Sequence, residues 1–528
     1  MSRAVLAAAT AIAVAVLAGA CGGGQEKPRV DADPLYGSQP NVVFILADDM
    51  NLRQFNRRYM RRTRKLIADP GTEFTNYFAA TPLCCPSRAA MLTGQYGHNN
   101  GVTSNVPGYG LLEQPENILP AWLQLAGYET AEVGKWLNGY EKTVVKHQEV
   151  PPGWDKWHGL VGAHGYYKFR ASNQGKKDSY EDTYVTDWIA DTSIDLIGKL
   201  APEDKPFFLQ VNEFAPHVEN ARNESRGRCG GEAVPAPQDL DRFKGVGLPN
   251  SPSINEKDIS DKPSFVAGKA ELTPDQLQEL ELRYECRLGA LRSLDRSIGR
   301  IMHALEASGE LGDTVVIFAS DNGTFHGEHR LPGGKGLAYE EAAHMPMAML
   351  VPEKYRGGNP QVPDVDEPTS NIDIAPTIVD LAGSPTCVSI EECRVMDGRS
   401  LAGLLAGDKS DWPARRPLLQ ELTLNVDAVE AGRGTSCRFV GVREGPWLYV
   451  EHTRVPDPEL GICVDRTVIE TYDTARDPYE LENLAAPGNA TAASARETPR
   501  LSELVAALAD CAGIEGRDPE PASGHYCS

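Results

Sequence analysis

Hydrophobic positions along the chain fall into two regimes. Residues 41–47 (N-V-V-F-I-L-A), 206–214 (P-F-F-L-Q-V-N-E-F) and 314–319 (T-V-V-I-F-A) are continuous apolar runs rich in β-branched and aromatic side chains. Runs of that kind read as strands buried on both faces of a mostly parallel sheet. Residues 129–133 read as a further short strand, residues 118–125 as a helix, and 275–307 as a long amphipathic helix. Strands separated by helices predict an α/β domain whose mostly parallel central sheet is flanked by helices, spanning about residues 41–415. From about residue 417 the pattern changes to short alternating strands, including 437–452 and 468–472, followed by helical 502–509. That change predicts a smaller C-terminal α+β domain with an antiparallel sheet, residues 416–528. Leu52, Phe55, Tyr59 and Leu66 recur at helical spacing among Arg53, Arg57, Arg58, Arg61, Arg62, Arg64 and Lys65. The arginines then form a solvated face, with contact to a polyanion as the alternative.

The first residues read as an export signal: Arg3, an apolar run over 4–17 too short to span a membrane, then small residues ending at Cys21. L-A-G-A-C followed by three glycines resembles a bacterial lipoprotein processing site that would lipidate Cys21; the alternative is an ordinary secretory signal. Residues 22–40 form a polar tether, and the expected location is the cell surface or the medium. Cysteine usage agrees with export. Setting aside Cys21, Cys84 and Cys85 leaves eight of eleven cysteines, and their spacing pairs neighbours: Cys229 with Cys286, Cys387 with Cys393, Cys437 with Cys463, Cys511 with Cys527. A formal charge of −22 excludes nucleic acid as a general partner, so any polyanionic substrate must meet a local basic patch.

Candidate chemistry clusters after the predicted strands. Asp48 and Asp49 close the first run, and Ser320-Asp321-Asn322-Gly323 closes the 314–319 run. Carboxylates outside the carboxyl ends of such strands lie where α/β folds place their sites. Alone, each could be a turn or a helix cap; together, Asp48, Asp49, Asp321 and Asn322 make an oxygen-ligand set for Ca²⁺ or Mg²⁺. Lys135 follows the short strand in G-K-W-L-N, and His217 follows the 206–214 run in A-P-H. Residues 219–269 form a long polar insertion near the mouth of the site. Residues 81–94, T-P-L-C-C-P-S-R-A-A-M-L-T-G, read as a helix start, with Pro86 in the first turn and Cys84 and Cys85 at the positive end of the dipole. Arg88 adds a fork suited to a tetrahedral oxyanion. A bare Cys-Cys-Pro would equally describe a buried cysteine pair.

The full string Cys84, Pro86, Ser87, Arg88, Leu92, Thr93, Gly94 resembles the signature of the type I sulfatases, members of the alkaline-phosphatase-like superfamily. The resemblance implies that a maturation enzyme oxidises Cys84 to formylglycine, the hydrated nucleophile, at a site that also contacts the metal. It implies that Lys135 and Lys335 bind sulfate, that His217 contacts the ester oxygen, and that Ca²⁺ is the cation. Where many members carry a histidine after the lysine, this chain has Leu137 and Asn138, which makes Asn138 the candidate partner of the hydrate. G-K-aromatic-L-N and the doubled cysteine resemble the branch that desulfates N-acetylglucosamine 6-sulfate groups. His326 and His329 either line the pocket or serve the scaffold. Residues 371–383 and 397–405 resemble family scaffold, and 472–484 a C-terminal family motif. The implied activity is hydrolysis of sulfate monoesters on sugars or aryl groups. The alternatives are a phosphonate or phosphate diester hydrolase using the same site and a non-catalytic glycan-binding lipoprotein.

Overall fold

The computed structural model describes residues 33–143, 150–162, 164–219, 227–388, 393–424, 436–457 and 459–527. The export signal, Cys21 and most of the tether lie outside the described residues.

Among the described residues, sixteen strands follow the chain. They are β1 (Asn41–Ala47), β2 (Thr72–Phe74), β3 (Tyr77–Phe78), β4 (Glu129–Gly134), β5 (Lys156–Leu160), β6 (Lys168–Asn173), β7 (Lys176–Glu181) and β8 (Phe207–Asn212), then β9 (Thr314–Ser320), β10 (Met347–Leu350), β11 (Asp364–Val365), β12 (Thr369–Ser370), β13 (Leu418–Thr423), β14 (Arg438–Glu444), β15 (Trp447–Asp457) and β16 (Ile462–Asp473). Ten form one sheet in the order β11-β2-β10-β9-β1-β8-β4-β5-β6-β7. Its central strands β9, β1, β8, β4 and β5 are parallel; β10 and β6 run against them, and β7, antiparallel to β6, runs with them again. Strands β3 and β12 pair separately.

Side chains of a strand alternate between faces, so a strand covered on both sides must be apolar throughout. β1 does this: Val42, Phe44 and Leu46 enter one core, and Val43, Ile45 and Ala47 the other. The first core is closed by the helices Cys84–Thr93, Leu119–Leu125 and Ile374–Ala382, the second by Val185–Leu200 and Pro274–Ser308. The last of these starts at a Thr273–Gln276 capping box and stops at Gly309 in the left-handed region, so local signals set both ends.

Strands β13 to β16 form a four-stranded antiparallel sheet, with the helix Ser494–Leu508 on one face. That face also takes in Ala90 and Tyr96, so the small sheet packs directly behind the Cys84–Thr93 helix. All four expected disulfides are present, and Cys84 and Cys85 are free and buried.

Three local expectations change. Residues 53–65 do not form one helix; the Asn56 side chain accepts from the Arg58 and Tyr59 N–H groups at 2.9 and 3.2 Å and interrupts it. Arg53, Arg57, Arg58, Arg61 and Arg62 are nonetheless exposed, while Arg64 is held by Glu73. The strand expected over 437–452 turns at Gly445, giving β14 and β15. The C-terminal helix starts at Ser494, earlier than expected, with Pro499 inside it.

Candidate active site

Because β9, β1, β8 and β4 are parallel, the residues that follow them collect at one end of the sheet. Asp48 and Asp49 follow β1, Lys135 follows β4, His217 follows β8 after a short turn, and Asp321 and Asn322 follow β9. The Cys84–Thr93 helix brings its first residue to the same point. Cys84 Sγ lies 3.5 Å from Asp48 Oδ1, 3.9 Å from Asp49 Oδ1, 3.6 Å from Lys135 Nζ and 2.8 Å from Lys335 Nζ. Lys135 also pairs with Asp48, and Lys335 with Asp49. His217 Nε2 stands 3.7 Å from Asp49 Oδ2, and its Nδ1 is 2.6 Å from the Val218 carbonyl. These residues come from six separate stretches of sequence.

Backbone geometry explains the convergence. Adjacent strand residues normally face opposite ways, but Asp49 adopts φ +71°, a left-handed conformation aspartate tolerates better than most residues. That turn lets both carboxylates face Cys84. Gly134, at φ +111°, lets β4 run so close to β8 that a Cβ there would meet the Asn212 carbonyl oxygen at 1.9 Å. Lys135 N then donates to that same carbonyl at 2.9 Å, which fixes the start of the lysine side chain.

Arg88 is buried behind the site. Its Nε donates to Asp321 Oδ2 at 2.8 Å, Nη1 donates to the Lys135 carbonyl, and Nη2 lies 3.8 Å from Asp48 Oδ2. One guanidinium thus ties the ends of β1, β4 and β9. Asn371 Nδ2 donates to Ser87 Oγ at 2.9 Å and its Oδ1 accepts from Ala80 N at 2.9 Å, a scaffold role for the 371–383 segment.

The electrostatics are those of an anion site built over a cation site. Burial pushes the Asp48 carboxyl up, but Lys135, His217, Arg88 and Lys335 outweigh it and hold the group well below its usual range. Asp321 is pushed up to about 6 by burial and by Asp48, against Arg88 and Lys335. Burial, reinforced by Lys135, lowers His217 to about 4, so the imidazole is neutral near pH 7. Burial raises the Cys84 thiol to about 12 despite both lysines, so an unmodified thiol here is not a thiolate at neutral pH. Asn322 Nδ2 donates to Asp49 Oδ1 at 2.7 Å, whereas its Oδ1 is buried with no hydrogen-bond partner among the described residues. An orphaned amide oxygen beside three carboxylates fits a hard cation held by Asp48, Asp49, Asp321 and Asn322.

Asn138 stands apart. Its backbone carbonyl is 3.8 Å from Cys85 Sγ, and its side-chain oxygen has no hydrogen-bond partner among the described residues. His326 lines the cavity of about 420 Å³ that opens beside Asp49, His217 and Lys335; His329 belongs to a separate buried cluster. From the insertion, Glu232 and Ala233 line the same cavity, while residues 220–226 lie outside the described residues.

Two site residues escaped the sequence reading. Arg287 on the long helix donates to the Pro216 carbonyl at 3.0 Å and to the Asp49 carbonyl, holding the His217 turn and the Asp49 turn together. Its signal was an arginine inside the buried stretch Tyr284–Leu291 of an otherwise amphipathic helix. His164 packs edge-on to Phe214, and burial, Lys135 and His217 lower it to about 3. No motif marked it.

A family model described as Sulfatase matches residues 40–384. This chain belongs to the sulfatase family. It is a sulfuric ester hydrolase. The sulfatase is 31% identical over 515 residues to an arylsulfatase of Volvox carteri, covering 91% of this chain and 76% of the relative. It is 30% identical over 484 residues to the N-acetylglucosamine-6-sulfatase of Capra hircus, covering 85% and 80%. A solved structure of BT4656 in complex with its substrate D-glucosamine-2-N,6-O-disulfate superposes with a TM-score of 0.69 at 24% identity, covering 89% of the sulfatase and 97% of that chain. The phosphonate monoester hydrolase of Agrobacterium radiobacter shares the fold at a TM-score of 0.60 and 22% identity, covering 89% and 95%.

Proposed function

We propose that this sulfatase removes sulfate monoesters from sulfated sugars, with the 6-sulfate of N-acetylglucosamine as the leading substrate class. The observation that carries the reading is the pair of ammonium groups, Lys135 and Lys335, at 3.6 and 2.8 Å from Cys84 Sγ, with Asp48 and Asp49 beside them. Two cations around one small nucleophile position suit a tetrahedral oxyanion better than a neutral ester.

Oxidation of Cys84 to formylglycine by a maturase would supply a hydrated aldehyde as the attacking group, in place of a thiol too buried to ionise. A divalent cation, Ca²⁺ in preference to Mg²⁺, would be held by Asp48, Asp49, Asp321 and Asn322 next to residue 84, and when bound supplies Lewis-acid polarisation. Lys135 and Lys335 bind and neutralise the sulfuryl oxygens. Arg88 holds Asp321 and the Lys135 backbone in place, and Arg287 fixes the turns bearing Asp49 and His217. His217 donates its Nδ1–H to the Val218 carbonyl in the resting site, which leaves Nε2 as the atom that exchanges a proton with the leaving oxygen. Since His217 rests neutral, it takes up that proton once a bound anion offsets the nearby lysines. Asn138, whose buried side-chain oxygen has no partner among the described residues, is the proposed partner of the hydrate.

The identity of 30% to N-acetylglucosamine-6-sulfatase over most of both chains supports the sugar ester over a phosphonate, for which the likeness is of fold alone. Export to the cell surface, through a lipid on Cys21 or as a secreted protein, is part of the same reading. The test has two steps. The peptide carrying residue 84 is weighed after co-expression with a maturase; then matched sulfate and phosphonate esters are compared. Aldehyde at residue 84 with sulfate preference supports the proposal. An unmodified thiol in the presence of a working maturase, or faster phosphonate cleavage, overturns it.

A further inference from the structure

Outside the group of residues around Cys84, three buried side chains from separate parts of the chain turn toward one another. His329 follows β9 in the loop that also bears Lys335, Glu341 lies in the short helix Glu340–Ala343, and Glu480 comes from the segment after β16. Their exposures are 0%, 4% and 0%, and one ligand atom from each lies within 4.8 Å of the others.

The polar atoms of this cluster are not satisfied by one another. His329 Nδ1 is 2.6 Å from Glu256 Oε2; in the tautomer that donates Nδ1–H to that carboxylate, Nε2 presents a lone pair. Nε2 has no hydrogen-bond partner among the described residues, and neither has either oxygen of Glu341. Glu480 is oriented from outside: Arg443 Nη2 donates to Oε1 at 3.1 Å, and the Glu340 N–H donates to Oε2 at 2.9 Å. Three buried acceptor atoms without a donor are costly, because each has lost its hydrogen bonds to water and gained none in return. More acceptors do not relieve that cost; a proton or a metal cation does, and only the metal engages all three side chains at once.

We propose that His329, Glu341 and Glu480 form a second, structural metal site that takes a divalent first-row transition ion such as Zn²⁺. One imidazole nitrogen with two carboxylates is a donor set for such ions rather than for Ca²⁺ or Mg²⁺, which prefer oxygen alone. Ligands held at about 2.0–2.2 Å from one ion in tetrahedral geometry lie about 3.4 Å apart, so three atoms within 4.8 Å of one another reach that spacing by side-chain adjustments of up to about an ångström. Glu256 on His329 and Arg443 on Glu480 are the outer partners that orient the ligands. The ion would join the β9–β10 connection to the C-terminal region, adding to the Arg443–Glu340 pair, the Glu340 N–H bond to Glu480 and the Tyr339–Glu470 bond that already link them. This inference does not depend on the catalytic reading, because none of its ligands belongs to the sulfate site.

The experiment strips the full-length protein with chelator, dialyses it against buffered Zn²⁺ alone, and measures bound zinc and thermal stability. Wild type, Glu341→Gln and Asp49→Asn are compared. The expected result is one tightly held Zn²⁺ and a higher melting temperature in wild type. Asp49→Asn keeps that ion, and Glu341→Gln binds it at least about 100-fold more weakly, since losing an outer partner alone costs 10–100-fold. Diffraction at the zinc edge from wild-type crystals needs no variant and should place the anomalous peak between His329 Nε2 and Glu341. Zinc that is absent, that survives Glu341→Gln at full affinity, or that peaks at Asp49 overturns the proposal and leaves Glu341 as a neutral buried acid.

Discussion

Replacing Lys335 by methionine keeps the aliphatic stem and removes only the ammonium. That ammonium sits 2.8 Å from Cys84 Sγ and pairs with Asp49, with only 12% of the side chain exposed. Two unit charges about 4 Å apart interact by about 4 kcal/mol at an effective dielectric constant near 20. Removing one preorganised donor from an oxyanion site typically costs about 2.7–4 kcal/mol, or 10²–10³ in rate. Both routes lead to a loss of about 10²–10³ in kcat/KM for Lys335→Met. A second readout separates catalysis from a plain salt bridge. Burial raises Asp49, and Lys335 is the strongest of the groups that bring it below its usual value. A depressed carboxyl contributes stability above the ordinary carboxylate range and loses it as pH falls through the lowered value. Without Lys335 that value rises, so the acid limb of the pH–rate profile moves to higher pH. The assay is steady-state hydrolysis of 4-nitrophenyl sulfate and of N-acetylglucosamine 6-sulfate from pH 4 to 9, normalised to the fraction of residue 84 present as aldehyde. A loss below tenfold with an unmoved acid limb would refute the electrostatic role.

Three further outcomes follow from the same geometry. His217→Ala should slow the sugar ester by about 10²–10⁴, the usual range for a general acid, and slow 4-nitrophenyl sulfate far less because that alcohol leaves unaided; equal losses would exclude His217 as the acid. Asp321 is raised to about 6, so the metal-free protein takes up a proton there on folding and loses that stabilisation as pH rises through 6. Calcium must displace this proton, and its affinity, measured by calorimetry, should weaken about tenfold per pH unit below 6 and be flat above. Replacing both Cys229 and Cys286 by serine opens a loop with a sequence separation of 57 and should cost about 4 kcal/mol by the chain-entropy relation. Denaturant unfolding that shows no loss would mean that the insertion is pinned without its disulfide.

The parallel core was legible because burial on both faces leaves an unmistakable record. β1 and β9 read as unbroken apolar runs, and the structure begins and ends them within a residue of the expected bounds. The hairpin β6–β7 left no such record: K-F-R-A-S-N and K-K-D-S-Y-E place charged residues on an edge of the sheet, where only one face is covered. Edge strands blunt themselves with charge to avoid pairing with other chains, and that same charge hides them from a hydrophobic pattern. The arginine-rich stretch after Asp49 failed differently. Its apolar spacing was helical, but a single Asn56 side chain offered the backbone a competing hydrogen-bond acceptor and ended the helix.

Around Cys84, the grouped residues and Arg88 behind them were legible in the sequence, and Arg287 was not. Asp48, Lys135, His217 and Asp321 each follow a buried strand, so strand prediction located them without knowledge of the third dimension. Arg287 acts from the middle of a helix of 35 residues, and nothing local separates it from the half-buried Arg283 one turn earlier. The difference is that Arg287 finds two carbonyls, Pro216 and Asp49, that belong to turns already committed to the site. Such turns leave outward-facing carbonyls that no strand partner can satisfy, and a buried guanidinium is the donor that can serve two at once. The requirement is therefore set by the left-handed turn at Asp49, and it is met 238 residues later in the chain by whichever side chain the packed helix delivers.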